Sequence, residues 1–131
     1  MPHYTALVTL VAVFLYFFAA TRVPLARRKF TIKLPATSGH PDFERVFRAH
    51  QNTLEWLPIF LPSLWLFALY VSDPFAAVIG LIWIGARVLY IRGYTQAVEK
   101  RLPGFFVQGS AVGVLFIGAL AGVLWRLIHG G

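Results

Sequence analysis

Four apolar stretches, Tyr4 to Thr21, Ala49 to Ser72, Pro74 to Ile91 and Phe105 to Ile128, are each long enough, or nearly so, to cross a bilayer as a helix. About 20 helical residues span the ~30 Å hydrocarbon core. Backbone polar groups in lipid must be satisfied inside their own segment, so each run is constrained to be helical. The first stretch carries no charge between its ends, and the fourth none from Leu102 to Trp125. Of the 131 residues, 58% are hydrophobic and 13% charged, whereas about a quarter are charged in soluble domains. The expectation is an all-α, multi-pass integral membrane protein: one domain, residues 1–131, built as a four-transmembrane-helix bundle.

The connections set the topology. Ser72-Asp73-Pro74 is the only break between the second and third stretches, so these form a tight antiparallel hairpin, with Pro74 suited to a first helical position. Pro103 and Gly104 punctuate the entry to the fourth. The first stretch reads as a membrane helix, not a cleaved leader, because it lacks a basic start and a dense basic run follows it. The net charge of +7 would suggest nucleic acid in a soluble chain. Here Arg22, Arg27, Arg28, Lys29, Lys33, Arg45 and Arg48 gather at the first connection, and Arg87, Arg92, Lys100 and Arg101 toward the third. That bias places both basic connections in the cytoplasm and both termini outside. Anionic headgroups account for most of these charges, but not for those inside helices.

On the second helix, Arg48, Asn52 and Glu55 share one face by their spacing. Arg87, Tyr90, Tyr94 and Arg101 form another stripe if the third helix continues past the membrane surface to Leu102. A charge at the centre of a membrane helix costs roughly 2.5–3.5 kcal/mol on insertion scales, so these groups are expected to meet one another or a polar ligand. Glu55 fits two roles: a structural ion pair with Arg87 or Arg48, or a contact to a ligand amine. Basic groups outnumber acids in the stripes, which suits an anionic ligand.

Other chemistries are poorly supplied. With no cysteine, disulfides, thiolate metal sites and a cysteine nucleophile are excluded. His3, His40, His50 and His129 show no metal-binding spacing, so no metal is expected. The serine in Gly109-Ser110-Ala111-Val112-Gly113 is misplaced for a nucleophile elbow. The Gly109/Gly113 and Gly118/Gly122 spacings predict close helix packing within the protomer or between protomers. Pro58 and Pro62 predict a bend in the second helix. Phe14, Tyr16, Phe17 and Phe18 surround the first helix and suit lipid or helix contacts.

Three blocks in order, ARRKF (Ala26 to Phe30), FERVFRAHQNTLEWLPIFL (from Phe43) and ARVLYIRGYTQAVEKR (Ala86 to Arg101), resemble the membrane-associated proteins in eicosanoid and glutathione metabolism. The resemblance runs from about Leu25 to Arg101 and is closest to the leukotriene C synthase and type two and three microsomal glutathione transferase branch. Elsewhere only length and hydropathy agree. It implies a four-helix protomer, a homotrimer, and glutathione as co-substrate, bound near the cytoplasmic face between neighbouring protomers. It assigns Arg48, Asn52 and Glu55 to glutathione, with Arg27, Tyr90 and Tyr94 adding contacts and Arg87 in the same stripe. Arg101 falls at the position of the thiol-activating arginine, and Arg28 at that of a second arginine acting as an acid on the substrate side. His50 and Trp56 stand where the branch has glutamine and tyrosine, and Leu89 replaces an arginine. These departures bear on the lipid substrate more than on glutathione.

The implied activity is transfer of glutathione to a hydrophobic electrophile, with reduction of a lipid hydroperoxide as a further possibility. A guanidinium stays protonated at neutral pH, so Arg101 acts by stabilising a thiolate. A non-catalytic lipid-binding scaffold, which the family also includes, is the alternative. A small proton-coupled exporter accounts for Glu55 but not for the arginine and tyrosine stripes. The expected location is a bacterial inner membrane in preference to the endoplasmic reticulum.

Overall fold

The structure is a computed structural model and describes residues 1–130. It contains α1 (His3–Phe30), α2 (Pro41–Tyr70), α3 (Asp73–Gln96), a short 3-10 turn (Val98–Arg101) and α4 (Leu102–His129). All four α-helices are long and apolar enough to cross a membrane. The all-helical, four-span expectation is met. The helices also run beyond the apolar stretches, and local chemistry says why.

α1 continues through Arg22 to Phe30, with Arg27, Arg28 and Lys29 in its last turn, where cations complement the negative end of the helix dipole. It stops at Thr31, whose left-handed φ of 57° returns its N–H to the Arg27 carbonyl. α2 starts eight residues before Ala49, at Pro41, because His40 caps it: the ring Nδ1 accepts the Asp42 N–H at 3.1 Å. Proline in the first turn and acids at Asp42 and Glu44 reinforce that start. Pro58 and Pro62 lie inside α2, both exposed.

α3 corrects the expected run to Leu102. It ends at Gln96, Ala97 is extended, and the chain folds back through the 3-10 turn directly into α4. Two close approaches enforce this corner. A Cβ on Gly93 would lie 2.1 Å from the Lys100 carbonyl oxygen, and one on Gly104 would lie 2.5 Å from the Tyr90 nitrogen. Only glycine lets the two backbones meet there.

α2 and α3 form the central pair, each packed against both α1 and α4. Phe60 stacks on Trp83 at 3.9 Å in the core, beside Val8, Leu64 and Leu115. The Trp83 indole N–H donates to Gln108 Oε1 at 3.0 Å, which satisfies two buried polar groups together. Gly118 meets Phe67 and Gly122 meets Tyr70, so this pair serves packing inside the protomer. Gly109 and Gly113 face open space. Phe14, Phe17 and Phe18 are exposed on the protomer, as are Leu7, Leu10, Phe116 and Ile117.

The end of the bundle opposite the basic connections is stitched by hydrogen bonds. The tight turn brings Asp73 to the start of α1, where its carboxylate accepts the N–H groups of Tyr4 at 3.2 Å and Thr5 at 2.8 Å. α1 has no capping side chain of its own, so a residue of α3 satisfies its free donors. Trp65 adds a bond to Thr9 Oγ1 at 2.9 Å.

Candidate functional site

The two polar stripes meet at the basic end of the bundle. Arg87, fully buried on α3, donates from Nη2 to Asn52 Oδ1 on α2 at 2.7 Å. Its guanidinium lies 4.0 Å from the centre of the Tyr90 ring and 6.0 Å from that of Trp83. Nε and Nη1 of Arg87 are buried without a hydrogen-bond partner. Tyr90 meets Tyr94 edge to face at 5.6 Å, and Arg101 stands over Tyr94 at 5.9 Å. The result is a continuous series, Asn52, Arg87, Tyr90, Tyr94, Arg101, across α2, α3 and the 3-10 turn. The spacing of Arg101 from Arg87 comes from the chain folding back, not from an extended third helix.

Each cation is held by neutral oxygen. Arg101 donates to the Val98 carbonyl at 2.7 Å, and Arg48 to Gln51 at 3.3 Å. Among the described residues the ion pair present is Arg45 with Asp42, at the start of α2. Glu55 therefore bridges neither Arg87 nor Arg48. It is exposed on α2, one turn from Asn52, with Arg48 one turn to the other side. The exposed carboxylate and the surplus guanidiniums suit a ligand carrying both an amine and carboxylates.

Because Asn52 Oδ1 accepts from Arg87, its amide NH₂ remains as a donor. Trp56 extends the site with aromatic surface: Phe105 of α4 lies 6.2 Å from its ring and 6.4 Å from that of Tyr90. Phe105 lay hidden in an apolar stretch, and no spacing in the sequence distinguishes it from its neighbours.

Three predicted residues lie elsewhere in the protomer. Arg27 donates to the Ala36 carbonyl at 2.6 Å and stands over Phe43 at 5.0 Å. Arg28 is exposed near the end of α1. His50 is on the α1 side of α2, stacked on Tyr16 at 5.0 Å. Within one protomer these do not join the series. No group of three or more potential metal ligands occurs among the described residues.

Residues 5–121 match the family model described as the MAPEG family. The chain is 47% identical over 122 residues to an uncharacterized protein of Synechocystis sp., covering 93% of this chain and 89% of that protein. It is 43% identical over 105 residues to microsomal glutathione S-transferase 2 of Homo sapiens, covering 80% of this chain and 69% of the relative. Against leukotriene C4 synthase of Mus musculus the identity is 38% over 125 residues, covering 95% and 83%.

Proposed function

The chain belongs to the MAPEG family, and from that membership and the geometry of its basic end we propose that it is an integral-membrane glutathione S-transferase acting on lipophilic electrophiles. The observation that carries this reading is the series from Asn52 through Arg87, Tyr90 and Tyr94 to Arg101, whose guanidiniums have no carboxylate partner among the described residues. Arg48, the Asn52 amide and the tyrosine hydroxyls hold the peptide's carboxylates and carbonyls, and Glu55 takes its amine. Arg101 stands by the thiol.

An ordinary cysteine thiol has a pKa near 8.5, so only a few per cent is thiolate at pH 7. The fixed charge of Arg101 favours the anion. The thiol loses its proton to solvent, the sulfur attacks an electrophilic carbon dissolved in the bilayer, and a leaving group departs or the adduct is protonated. With a lipid hydroperoxide the same thiolate attacks the distal oxygen, the O–O bond breaks and the lipid alcohol leaves after protonation, with the sulfur now a sulfenic acid. A second glutathione thiol condenses with that sulfenic acid, giving glutathione disulfide and water. Arg27, Arg28 and His50 reach this site only from a neighbouring protomer, which accords with a homotrimer whose sites are shared. The basic connections face the cytoplasm, with a bacterial inner membrane as host.

Glutathione titrated into the detergent-solubilised protein, followed by thiolate ultraviolet difference absorbance, tests the reading. Saturable binding with thiolate formed at pH 7 is expected. Absence of both from a folded oligomer refutes it.

A further inference from the structure

α1 closes with its own cations, Arg27, Arg28 and Lys29, at the negative end of its dipole. α3 has no basic residue in its last turn, although its carbonyl end leads straight into the turn that carries Arg101. The last four carbonyls of a helix have no partner within it. Here Gly93 O accepts the Ala97 N–H at 3.0 Å, and Thr95 O meets a donor from another helix, Arg45 Nε of α2, at 3.5 Å. That distance is at the outer limit of a hydrogen bond. The guanidinium charge adds to it, because a cation beside the last turn interacts favourably with the helix dipole.

Arg45 does not reach α3 as a freely swinging side chain. Its Nη2 pairs with the Asp42 carboxylate one turn earlier on α2, the ion pair present among the described residues. The Asp42 N–H is held in turn by His40 Nδ1, and the His40 ring stacks on Phe30 of α1 at 4.2 Å. A chain of contacts thus runs from the end of α1, through the start of α2, to the end of α3. The Arg45 side chain is 22% exposed and that of Asp42 48%, and an ion pair so open to solvent adds little to stability. What it does is fix the plane of the guanidinium against the α3 end.

Thr95 stands between Tyr94, whose ring faces Arg101 at 5.9 Å, and the extended Ala97 where the chain turns back. Close backbone approaches at Gly93 and Gly104 hold this corner against the 3-10 turn and α4, and Arg45 holds it from α2.

We propose that Arg45 is a positioning residue for Arg101: oriented by Asp42, it clamps the carbonyl end of α3 and so fixes the turn from which Arg101 stands by the glutathione thiol. The catalytic half of this inference rests on the transferase reading, and the clamp itself does not. Arg45 touches neither glutathione nor the reacting sulfur. Its loss leaves Arg48, Asn52 and Glu55 on α2 and releases the α3 end, so that Arg101 is no longer held in register with the thiol.

The test is Arg45→Met, which keeps the stem and removes the charge and donors, in the full-length detergent-solubilised protein with glutathione and 1-chloro-2,4-dinitrobenzene. Expected is kcat about tenfold lower at pH 7, short of the roughly 10²–10³ of losing the Arg101 charge outright, with glutathione affinity nearly unchanged. The pH at which bound glutathione becomes thiolate should rise by about one unit, the equivalent of that tenfold change. In an Arg101→Ala background Arg45→Met should lower the rate no further, since nothing is left to position, whereas independent roles would multiply. Amide exchange needs no glutathione, and the Val98–Arg101 turn should exchange about tenfold faster in Arg45→Met. Asp42→Asn, at an exposed position, keeps the shape of the side chain and carries the same test with the same signs if Arg45→Met does not assemble.

Unchanged turnover and thiolate formation, a loss that multiplies with Arg101→Ala, or weakened glutathione binding with kcat intact would each overturn the proposal. A wild type that forms no thiolate sinks the transferase reading; faster exchange in Arg45→Met then still carries the clamp, and unaltered exchange sinks it as well.

Discussion

Arg101 is anchored by its own turn, through the Val98 carbonyl, and touches the rest of the series through the Tyr94 ring, so its removal leaves Asn52 and Arg87 in place. Arg101→Ala should lower turnover about 10²–10³-fold at pH 7, the usual cost of losing one preorganised charge, and change glutathione affinity much less. Raising the pH toward the ordinary thiol value near 8.5 should restore part of the rate, since solvent then does what the charge had favoured. Normal thiolate formation and turnover in that variant would move the activating role to Arg28. Glu55 makes no ion pair, so Glu55→Gln should weaken glutathione binding about tenfold and leave the assembly intact; a broken oligomer would show instead that Glu55 is structural. Asn52→Ala removes the Nη2 hydrogen bond of a buried guanidinium and should cost roughly 1.5–3 kcal/mol of stability. Asn52→Ala combined with Arg87→Met should recover part of that loss in thermal unfolding. The spacing of Arg48, Asn52 and Glu55 was legible because a polar stripe in an apolar helix has few explanations. That Arg87 belongs to Asn52 and not to Glu55 was not, since spacing fixes a face but not which partner across it is in reach.

Among the elements, the corner between α3 and α4 decides where Arg101 stands. Gly104→Ala would press a methyl group into the backbone of Tyr90 and Ala86, and overpacking of this kind costs about 1–3 kcal/mol. The expected outcome is a lower melting temperature together with reduced turnover, because Tyr90 and Arg101 shift together; an unchanged rate in a folded Gly104→Ala protein would detach the corner from the site. Helix existence was readable from the apolar runs alone. Helix ends were not: α2 begins inside a charged segment because of the His40 cap, and α3 ends early because Gly93 and Gly104 admit a second backbone. Both depend on contacts whose partners are distant in sequence or lack hydropathy. The same holds for Asp73, which looked like part of a turn and in fact caps α1.

For the whole molecule, the residues expected to bind glutathione do not all gather within one protomer: the Asn52 to Arg101 series forms one group, and Arg27, Arg28 and His50 lie outside it. A surface that meets a different surface of the next copy closes into a ring when the rotation allows, so native mass spectrometry in mild detergent should give trimers; monomers or antiparallel dimers alone would count against shared sites. The protomer itself is fastened unequally. Away from the basic connections, Asp73 and Thr9 tie α1 to α3 and α2 through hydrogen bonds. At the basic end α1 is held mainly by Val23, Ala26 and Phe43 in apolar contact and by the Phe30 and His40 ring stack. Mechanically this is a clothes peg, with the spring at the stitched end and the jaws at the basic end of α1, so thermal opening should widen the jaws first and amide exchange should run fastest along the last turns of α1.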